Sequence, residues 1–195
     1  AVTLLETDVE TLPASIANLW CLLLTNPEQF AAVQAEPRLM KFAYLEALRH
    51  SPPLPTADRF ARREVERFGR LLPQGAMVHL SAAAANRDPR QFSEPDRFDV
   101  TRKDLCRREP RGQYRADGLP AAITFGHGKP SQLPALPRDE PRSRYALTRD
   151  VAVAASLSLF ERFPDIELAA DAAPSISLDR LGGTYRCRSL PVALT

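Results

Sequence analysis

Glu46-Ala47-Leu48-Arg49 is the stretch of sequence on which the fold assignment rests. Leu39, Phe42 and Leu45 recur at helical spacing before it and predict a helix over residues 37–50. Within that helix, a spacing of three residues puts the carboxylate and the guanidinium on one face, where they can pair. Taken alone, such a pair is typical of an exposed helix surface and contributes roughly a few tenths of a kcal/mol. The surrounding sequence therefore has to decide its role.

Periodicity and proline positions predict the elements on either side of this helix within one partial domain, residues 1–195. Apolar residues such as Ile16, Leu19 and Leu23 predict a long central helix over residues 1–25. After the 37–50 helix, three closely spaced prolines favour an extended exit. The sequence then predicts β-hairpins over residues 58–85, loops over 86–144, a long helix over 145–163 and a terminal hairpin over 175–195.

Composition excludes several classes of protein. The chain has 195 residues, of which 44% are hydrophobic and 26% charged, so it can bury a core. A net charge of +2 does not indicate a nucleic-acid-binding protein. Three widely spaced cysteines predict no disulfide framework. There is no long apolar run or visible signal peptide, so we expect no membrane segment and a cytoplasmic location.

Several short motifs occur along the chain in a specific order. They are Glu10-Thr11, Asn26-Pro27-Glu28-Gln29, Glu46-Ala47-Leu48-Arg49, Ala85-Asn86-Arg87-Asp88-Pro89, Pro95-Asp96-Arg97-Phe98, Phe125-Gly126-His127-Gly128 and a long helix that ends at Leu159-Phe160-Glu161-Arg162-Phe163-Pro164. In this order they resemble the cytochrome P450 family in its bacterial soluble form. The resemblance implies the C-terminal half of that fold, which is mixed α+β, mainly helical, with small antiparallel β-sheets.

The resemblance also implies roles for the matching residues. Glu10 and Thr11 match the acid–alcohol pair that delivers protons to iron-bound oxygen in the family. Glu46 and Arg49 match a structural pair beneath the haem, and we expect Arg97 to complete a Glu–Arg–Arg cluster.

Further matches concern the haem itself. Arg59 lies where the family often places an arginine on a haem propionate, which suits a fork-shaped guanidinium. Phe125, Gly126 and Gly128 match the start of the loop that holds the haem. The two glycines there allow the backbone to approach a flat cofactor closely.

The rest of this loop departs from the family pattern Phe-Gly-x-Gly-x-His-x-Cys-x-Gly. The histidine position is Pro130, the cysteine position is Gln132 and the last glycine position is Pro134. A neutral amide cannot supply the electron density that a thiolate pushes toward the O–O bond. His127, Cys106 and Cys187, in that order, remain as alternative iron ligands, and otherwise no metal ligand is predicted.

Two hypotheses follow from these departures. The first is a haem-free, non-catalytic protein with no cofactor, which acts as a binding, auxiliary or scaffold protein, for example in natural-product biosynthesis. The family contains auxiliary proteins that lack the cysteine and support glycosyltransferases. The alternative is a haem-dependent monooxygenase with an incomplete chain or an unusual iron ligand.

A partner protein or a second copy of the chain is also expected. Without the N-terminal half of the family's fold, the apolar residues Trp20, Leu22 and Leu23 of the central helix would need another surface to pack against. Large exposed apolar patches usually mark interfaces. We therefore expect a homodimer or a partner chain over the exposed central helix.

Overall fold

The computed structural model describes residues 2–105, 144–178 and 183–194 of the chain. Its helices are α1 (Val2–Thr25), α2 (Pro27–Ala35), α3 (Met40–His50), α4 (Ala82–Ala85) and α5 (Arg144–Arg162), with a 3₁₀ turn at Pro37–Leu39. Its strands are β1 (Thr56–Phe60), β2 (Val65–Arg67), β3 (Arg70–Leu72), β4 (Met77–Ser81), β5 (Glu167–Leu168), β6 (Ile176–Leu178), β7 (Tyr185–Cys187) and β8 (Val192–Ala193).

Proline sets the boundaries between the first three helices. Pro27 occupies the first turn of α2, where its missing N–H costs no hydrogen bond. Pro37 opens the 3₁₀ turn that leads into α3 in the same way. Pro13 is different because it lies inside α1, where it removes a donor from the helical ladder. The helix nevertheless continues through it, so packing against the rest of the core outweighs this loss.

The apolar core lies between α1, α3 and α5. Leu19 and Leu23 of α1 and Met40 and Tyr44 of α3 are fully buried. Aromatic rings extend this core toward α2 and α5: Phe30 contacts Trp20 and Phe160 edge to face, with ring centroids 6.1 Å apart in both pairs. Edge-to-face pairs at this distance stabilise a core beyond the area that they bury.

Each β-sheet in the described ranges has two antiparallel strands. β1 pairs with β4, and this pair is bridged by the inner hairpin of β2 and β3. β5 pairs with β8, and β6 pairs with β7. The tip of the inner hairpin has positive φ at both Phe68 (54°) and Gly69 (69°), which is the backbone of a tight hairpin turn. Glycine takes this conformation readily, whereas Phe68 is strained there and fully exposed.

The prediction of a mainly helical α+β fold with small antiparallel sheets is confirmed.

The reason given for expecting a partner on the central helix is wrong, because Trp20, Leu22 and Leu23 are all buried by residues of the same chain. The long apolar helix therefore does not need a second protein to cover this stretch. Among the described helices, none is long and apolar enough to cross a membrane.

Most of the exposed large apolar side chains in the described ranges lie on the hairpins, although Phe42 of α3 and Val151 of α5 are exposed as well. Phe60 and Met77 are cross-strand partners of β1 and β4, and 66% and 63% of their surfaces are exposed. Leu80 of β4 and Leu71 of β3 are also exposed. An isolated two-stranded hairpin is only marginally stable in water, so this part of the molecule depends on its connections to the helices.

Candidate functional site

Glu46 and Arg49 form a completely buried ion pair on α3. The Nε and Nη2 groups of Arg49 donate to the two carboxylate oxygens of Glu46, both at 2.7 Å. Neither side chain has any exposed surface. Burial of two charges is tolerated only when their attraction and further hydrogen bonds offset the loss of hydration. The pair is therefore a structural element of the core and not an ordinary surface pair.

The remaining donors of Arg49 bind backbone carbonyl oxygens. Nη1 donates to Asn86 at 2.8 Å and to Pro95 at 2.7 Å, and Nη2 also donates to Arg97 at 3.0 Å. All five N–H groups of the guanidinium thus have an acceptor. The ring of Phe92 lies against the same guanidinium, 5.3 Å from its centroid to the guanidinium carbon. Arg49 therefore fixes the segment after α4 against α3.

The third member of the cluster is Arg102, and the prediction of Arg97 is wrong. Arg102 Nε donates to Glu46 Oε1 at 2.9 Å, and its side chain is only 5% exposed. The Arg97 side chain is 52% exposed and pairs with Glu94 at 3.5 Å. Arg97 contributes its carbonyl oxygen instead, which accepts hydrogen bonds from both Arg49 and Arg102.

The electrostatics of Arg102 agree with its place in the cluster. Burial alone would lower the pKa of its guanidinium, but the charge of Glu46 and hydrogen bonds to Glu46 and Asp104 outweigh burial and raise that pKa. Nη2 of Arg102 also donates to the carbonyl oxygen of Glu94 at 3.1 Å. One carboxylate thus holds two guanidinium groups, and both guanidinium groups bind the backbone of the same segment.

Asp99 forms a local turn that allows Arg102 to reach Glu46. The Asp-x-Thr pattern of this turn is visible in the sequence and could have indicated Arg102. Its carboxylate accepts from the backbone N–H of Thr101 at 2.9 Å and from the Thr101 hydroxyl at 2.7 Å. Burial would raise the pKa of Asp99, but these hydrogen bonds outweigh it and lower the pKa. An Asp-x-Thr sequence of this kind predicts a local turn.

The two residues of the acid–alcohol pair predicted on α1 differ in their exposure to solvent. Glu10 is exposed, whereas Thr11 is buried. Consecutive helical residues point about 100° apart, which accounts for the difference. One turn later, the hydroxyl of Ser15 donates to the Leu12 carbonyl at 2.7 Å and contacts the Tyr44 hydroxyl at 3.0 Å. The buried face that carries Thr11 therefore also carries a polar link to α3.

Arg59 lies on β1, opposite Val78 of β4, and it is exposed. Its Nη1 donates to the carbonyl oxygen of Asp58 at 2.8 Å. On the other face of the same hairpin, His79 Nδ1 and Asp58 Oδ1 form a hydrogen bond of 2.5 Å, and both side chains are about half exposed. The hairpin thus presents a guanidinium to solvent, which suits an anionic group such as a carboxylate.

Both histidines in the described ranges have hydrogen-bond partners, and both cysteines there are buried. His50 is bonded to Asp96 and Ser51, and His79 to Asp58. Cys21 and Cys187 are buried next to one another between α1 and β7. Within those ranges no group of three or more potential metal ligands occurs. The predicted loop residues Phe125, Gly126 and Gly128, the family cysteine position Gln132, and the alternative ligands His127 and Cys106 lie outside the described residues.

A sequence model of the cytochrome P450 family matches residues 9–105, the region that holds the acid–alcohol pair and the whole Glu46–Arg49–Arg102 cluster. The chain is 38% identical over 151 residues to the 6-deoxyerythronolide B hydroxylase of Saccharopolyspora erythraea, an alignment that covers 77% of this chain and 31% of the relative. The chain belongs to the cytochrome P450 family.

Other members show the same partial correspondence. Cytochrome P450 CYP107DY1 of Priestia megaterium is 33% identical over 184 residues, or 94% of this chain and 38% of the relative. The chain thus spans about a third of the length of these curated cytochromes P450.

Solved structures of cytochromes P450 show the same partial correspondence. P450BioI, in complex with an acyl carrier protein ligated to hexadec-9Z-enoic acid, matches with a TM-score of 0.73 and 30% identity over 95% of this chain and 41% of that one. HmtN, a post-tailoring hydroxylase of himastatin biosynthesis, matches with a TM-score of 0.72 and 28% identity over 95% and 43%.

The prediction of a protein without a cofactor is wrong, because the cytochrome P450 family, in which both relatives and solved structures place the chain, is a family of haem proteins. The described residues fit the periphery of a haem rather than its iron. Arg59 is an exposed cation suited to a propionate, but no described histidine or cysteine is available as an axial ligand.

Proposed function

We propose that this chain forms the C-terminal part of a haem-dependent cytochrome P450 monooxygenase. The observation that carries the proposal is the Glu46–Arg49–Arg102 cluster, whose charges are buried and hydrogen-bonded. Such a cluster costs desolvation and requires good geometry, so it stabilises one specific arrangement of α3 and the segment after α4. In this proposal that arrangement is the platform on which the haem rests.

Other residues would act around the haem rather than on its iron. Arg59 would bind a propionate from β1, since a guanidinium can donate two parallel hydrogen bonds to a carboxylate. Glu10 and Thr11 would move protons along α1 toward the reaction centre, with Glu10 exchanging protons with solvent because it is exposed. When bound, the haem would supply the oxygen-activating chemistry of the family.

The substrate class that we propose is a small natural product that is hydroxylated. The support comes from relatives whose names state such reactions, namely 6-deoxyerythronolide B hydroxylase and the post-tailoring hydroxylase HmtN. A cytoplasmic location belongs to the same proposal, as does a homodimer or a partner protein.

The proposal is tested by the absorption spectrum of the protein purified from haem-supplemented cells. We expect a Soret band and, from a pyridine haemochrome assay, about one haem per chain. Arg59→Ala should retain less haem than Arg59→Lys, because lysine keeps a cation for the propionate.

A folded protein must be shown in parallel by far-ultraviolet circular dichroism. If that protein has the expected helix content but no Soret band and no iron, the monooxygenase proposal is wrong. The same result would favour a non-catalytic binding role.

A further inference from the structure

Asn18 joins α1 to the strand β7 through buried hydrogen bonds. Its Oδ1 accepts from the backbone N–H of Cys187 at 2.7 Å, and its Nδ2 donates to the carbonyl oxygen of Tyr185 at 2.9 Å. Nδ2 also donates to Ser51 at 2.9 Å. The side chain of Asn18 is almost fully buried. The position of Cys187 against α1 is therefore fixed by its backbone and does not depend on its own side chain.

Cys21 lies one turn after Asn18 on the same face of α1, which brings it next to Cys187. Both thiols are free and buried, with 4% and 7% of the residue surface exposed. Burial, together with the neighbouring sulfur of Cys187 and a hydrogen bond to it, raises the pKa of the Cys21 thiol to about 12. The Cys187 thiol donates onward to the carbonyl oxygen of Ser189 at 3.3 Å.

Oxidants can approach this pair from one side. Cys187 lines a groove that opens to solvent between α1 and β7, together with Pro13, Ala14, Ala17, Arg186 and Arg188. Cys21 is not among the residues that line it. A small molecule of the size of hydrogen peroxide would therefore reach Cys187 first.

We propose that Cys21 and Cys187 are a peroxide-sensitive thiol pair that closes to an intramolecular disulfide between α1 and β7. The geometry that carries this is the Asn18 clamp, the adjacent thiols and the groove beside Cys187. The inference is independent of haem binding and of the proposed monooxygenase activity.

The reaction balances in two steps. The sulfur of Cys187 attacks hydrogen peroxide, an S–O bond forms, the O–O bond breaks and water leaves, which gives a sulfenic acid. The sulfur of Cys21 then attacks the sulfur of Cys187, an S–S bond forms and the S–O bond breaks. The departing hydroxide takes the proton of the Cys21 thiol as a second water. Peroxide is the oxidant, and two thiols are oxidised.

The disulfide would connect positions near opposite ends of the chain. A cross-link that closes so long a loop restricts the unfolded chain strongly. We expect oxidation to raise the thermal unfolding midpoint by roughly 5–15 °C, since a typical disulfide effect in a chain of this size corresponds to such a shift.

The test uses the Cys106→Ser variant of this chain, which retains only Cys21 and Cys187. The native protein is treated with hydrogen peroxide, unfolded and alkylated, and its intact mass and peptides are measured. We expect alkylation to fall from two thiols to none, a mass loss of two hydrogens before alkylation, and a peptide pair linked through both cysteines. The thermal midpoint should rise and should return after reduction with dithiothreitol.

Two single-cysteine variants test whether Cys187 reacts first and Cys21 then closes the disulfide. In the Cys106→Ser background, Cys21→Ser should give a sulfenic acid at Cys187 without a cross-link, and Cys187→Ser should leave Cys21 reduced at the same peroxide dose. The proposal is overturned if both thiols stay alkylatable, if Cys187 is oxidised to a sulfinic acid without linkage, or if the only disulfides join two chains.

Discussion

Arg97 and Arg102 lie five positions apart, and only one of them reaches the buried carboxylate of Glu46. The difference is set by the Asp99–Thr101 turn, which directs Arg102 inward and leaves the Arg97 side chain in solvent. Removal of one partner from a buried charge cluster leaves the other charges uncompensated, whereas removal of an exposed pair changes little.

We predict that Arg102→Ala lowers the free energy of unfolding by about 3 kcal/mol, because Glu46 then loses a buried cation. Arg97→Ala is the matched control and should lower it by less than about 0.5 kcal/mol. Urea unfolding followed by circular dichroism measures both. Equal losses in the two variants would contradict the assignment of Arg102 as the third member.

We predict that the stability of the folded protein depends on pH through His50. Its pKa is lowered from 6.5 to about 4, first by burial and then by the positive charge of Arg87. Since the folded pKa lies below the ordinary value, the unfolded chain binds more protons between these two pH values. Stability contributed by neutral His50 is therefore complete above pH 6.5 and decreases as the pH falls toward 4, by up to about 3 kcal/mol.

The variant His50→Gln tests this prediction because glutamine can still donate to the carbonyl oxygen of Asp96 but does not titrate. Urea unfolding of both proteins from pH 4 to pH 7.5 should show a steeper loss of stability in the wild type. Parallel curves would mean that His50 does not titrate between these limits.

Gln132 offers a test of the iron ligand. We predict that Gln132→Cys gives a carbon monoxide difference band near the wavelength for which the family is named, because a thiolate ligand then stands at the family position. Gln132→Ser is the control, since it is small and polar but supplies no thiolate. If neither variant differs from the wild type in this band, then position 132 does not face the iron.

At the scale of elements, the helices and hairpins followed from proline positions, apolar spacing and glycine turns. Pro27 and Pro37 mark the starts of α2 and of the 3₁₀ turn that leads to α3, and the β2–β3 pair lies within the range 58–85 in which hairpins were predicted. Arg97 was predicted in place of Arg102 because that prediction did not take account of the turn between Asp99 and Thr101, which directs Arg102 inward. The sequence also did not predict the burial of Trp20, which depends on packing against α2.

The Asn18 clamp is the element-scale contact that sequence patterns do not reveal, since its three partners lie far away in the chain. We predict that Asn18→Leu lowers the free energy of unfolding by about 2–4 kcal/mol, because it leaves buried backbone groups of Ser51, Tyr185 and Cys187 without partners. Asn26→Ala is the matched control, since its side chain makes a less buried bond to Leu22. Guanidinium unfolding of both variants measures the difference.

At the scale of the whole molecule, the exposed apolar pair of β1 and β4 is the surface most in need of a partner. We predict self-association at micromolar concentration that decreases in the double variant Phe60→Ser, Met77→Ser, because both side chains are largely exposed. Sedimentation velocity of the wild type and the double variant measures this self-association. A wild-type protein that stays monomeric at these concentrations would contradict the prediction of a homodimer.

The two-stranded sheets also affect which parts of the molecule undergo local opening to solvent. Because each described sheet consists of one pair of strands, every strand in it has an edge that no neighbouring strand protects. Amide hydrogens on those edges can exchange with solvent through small local openings, whereas those in the buried turns of α1 and α3 require loss of the core. Hydrogen exchange should therefore divide this protein into a slow helical unit and fast hairpins.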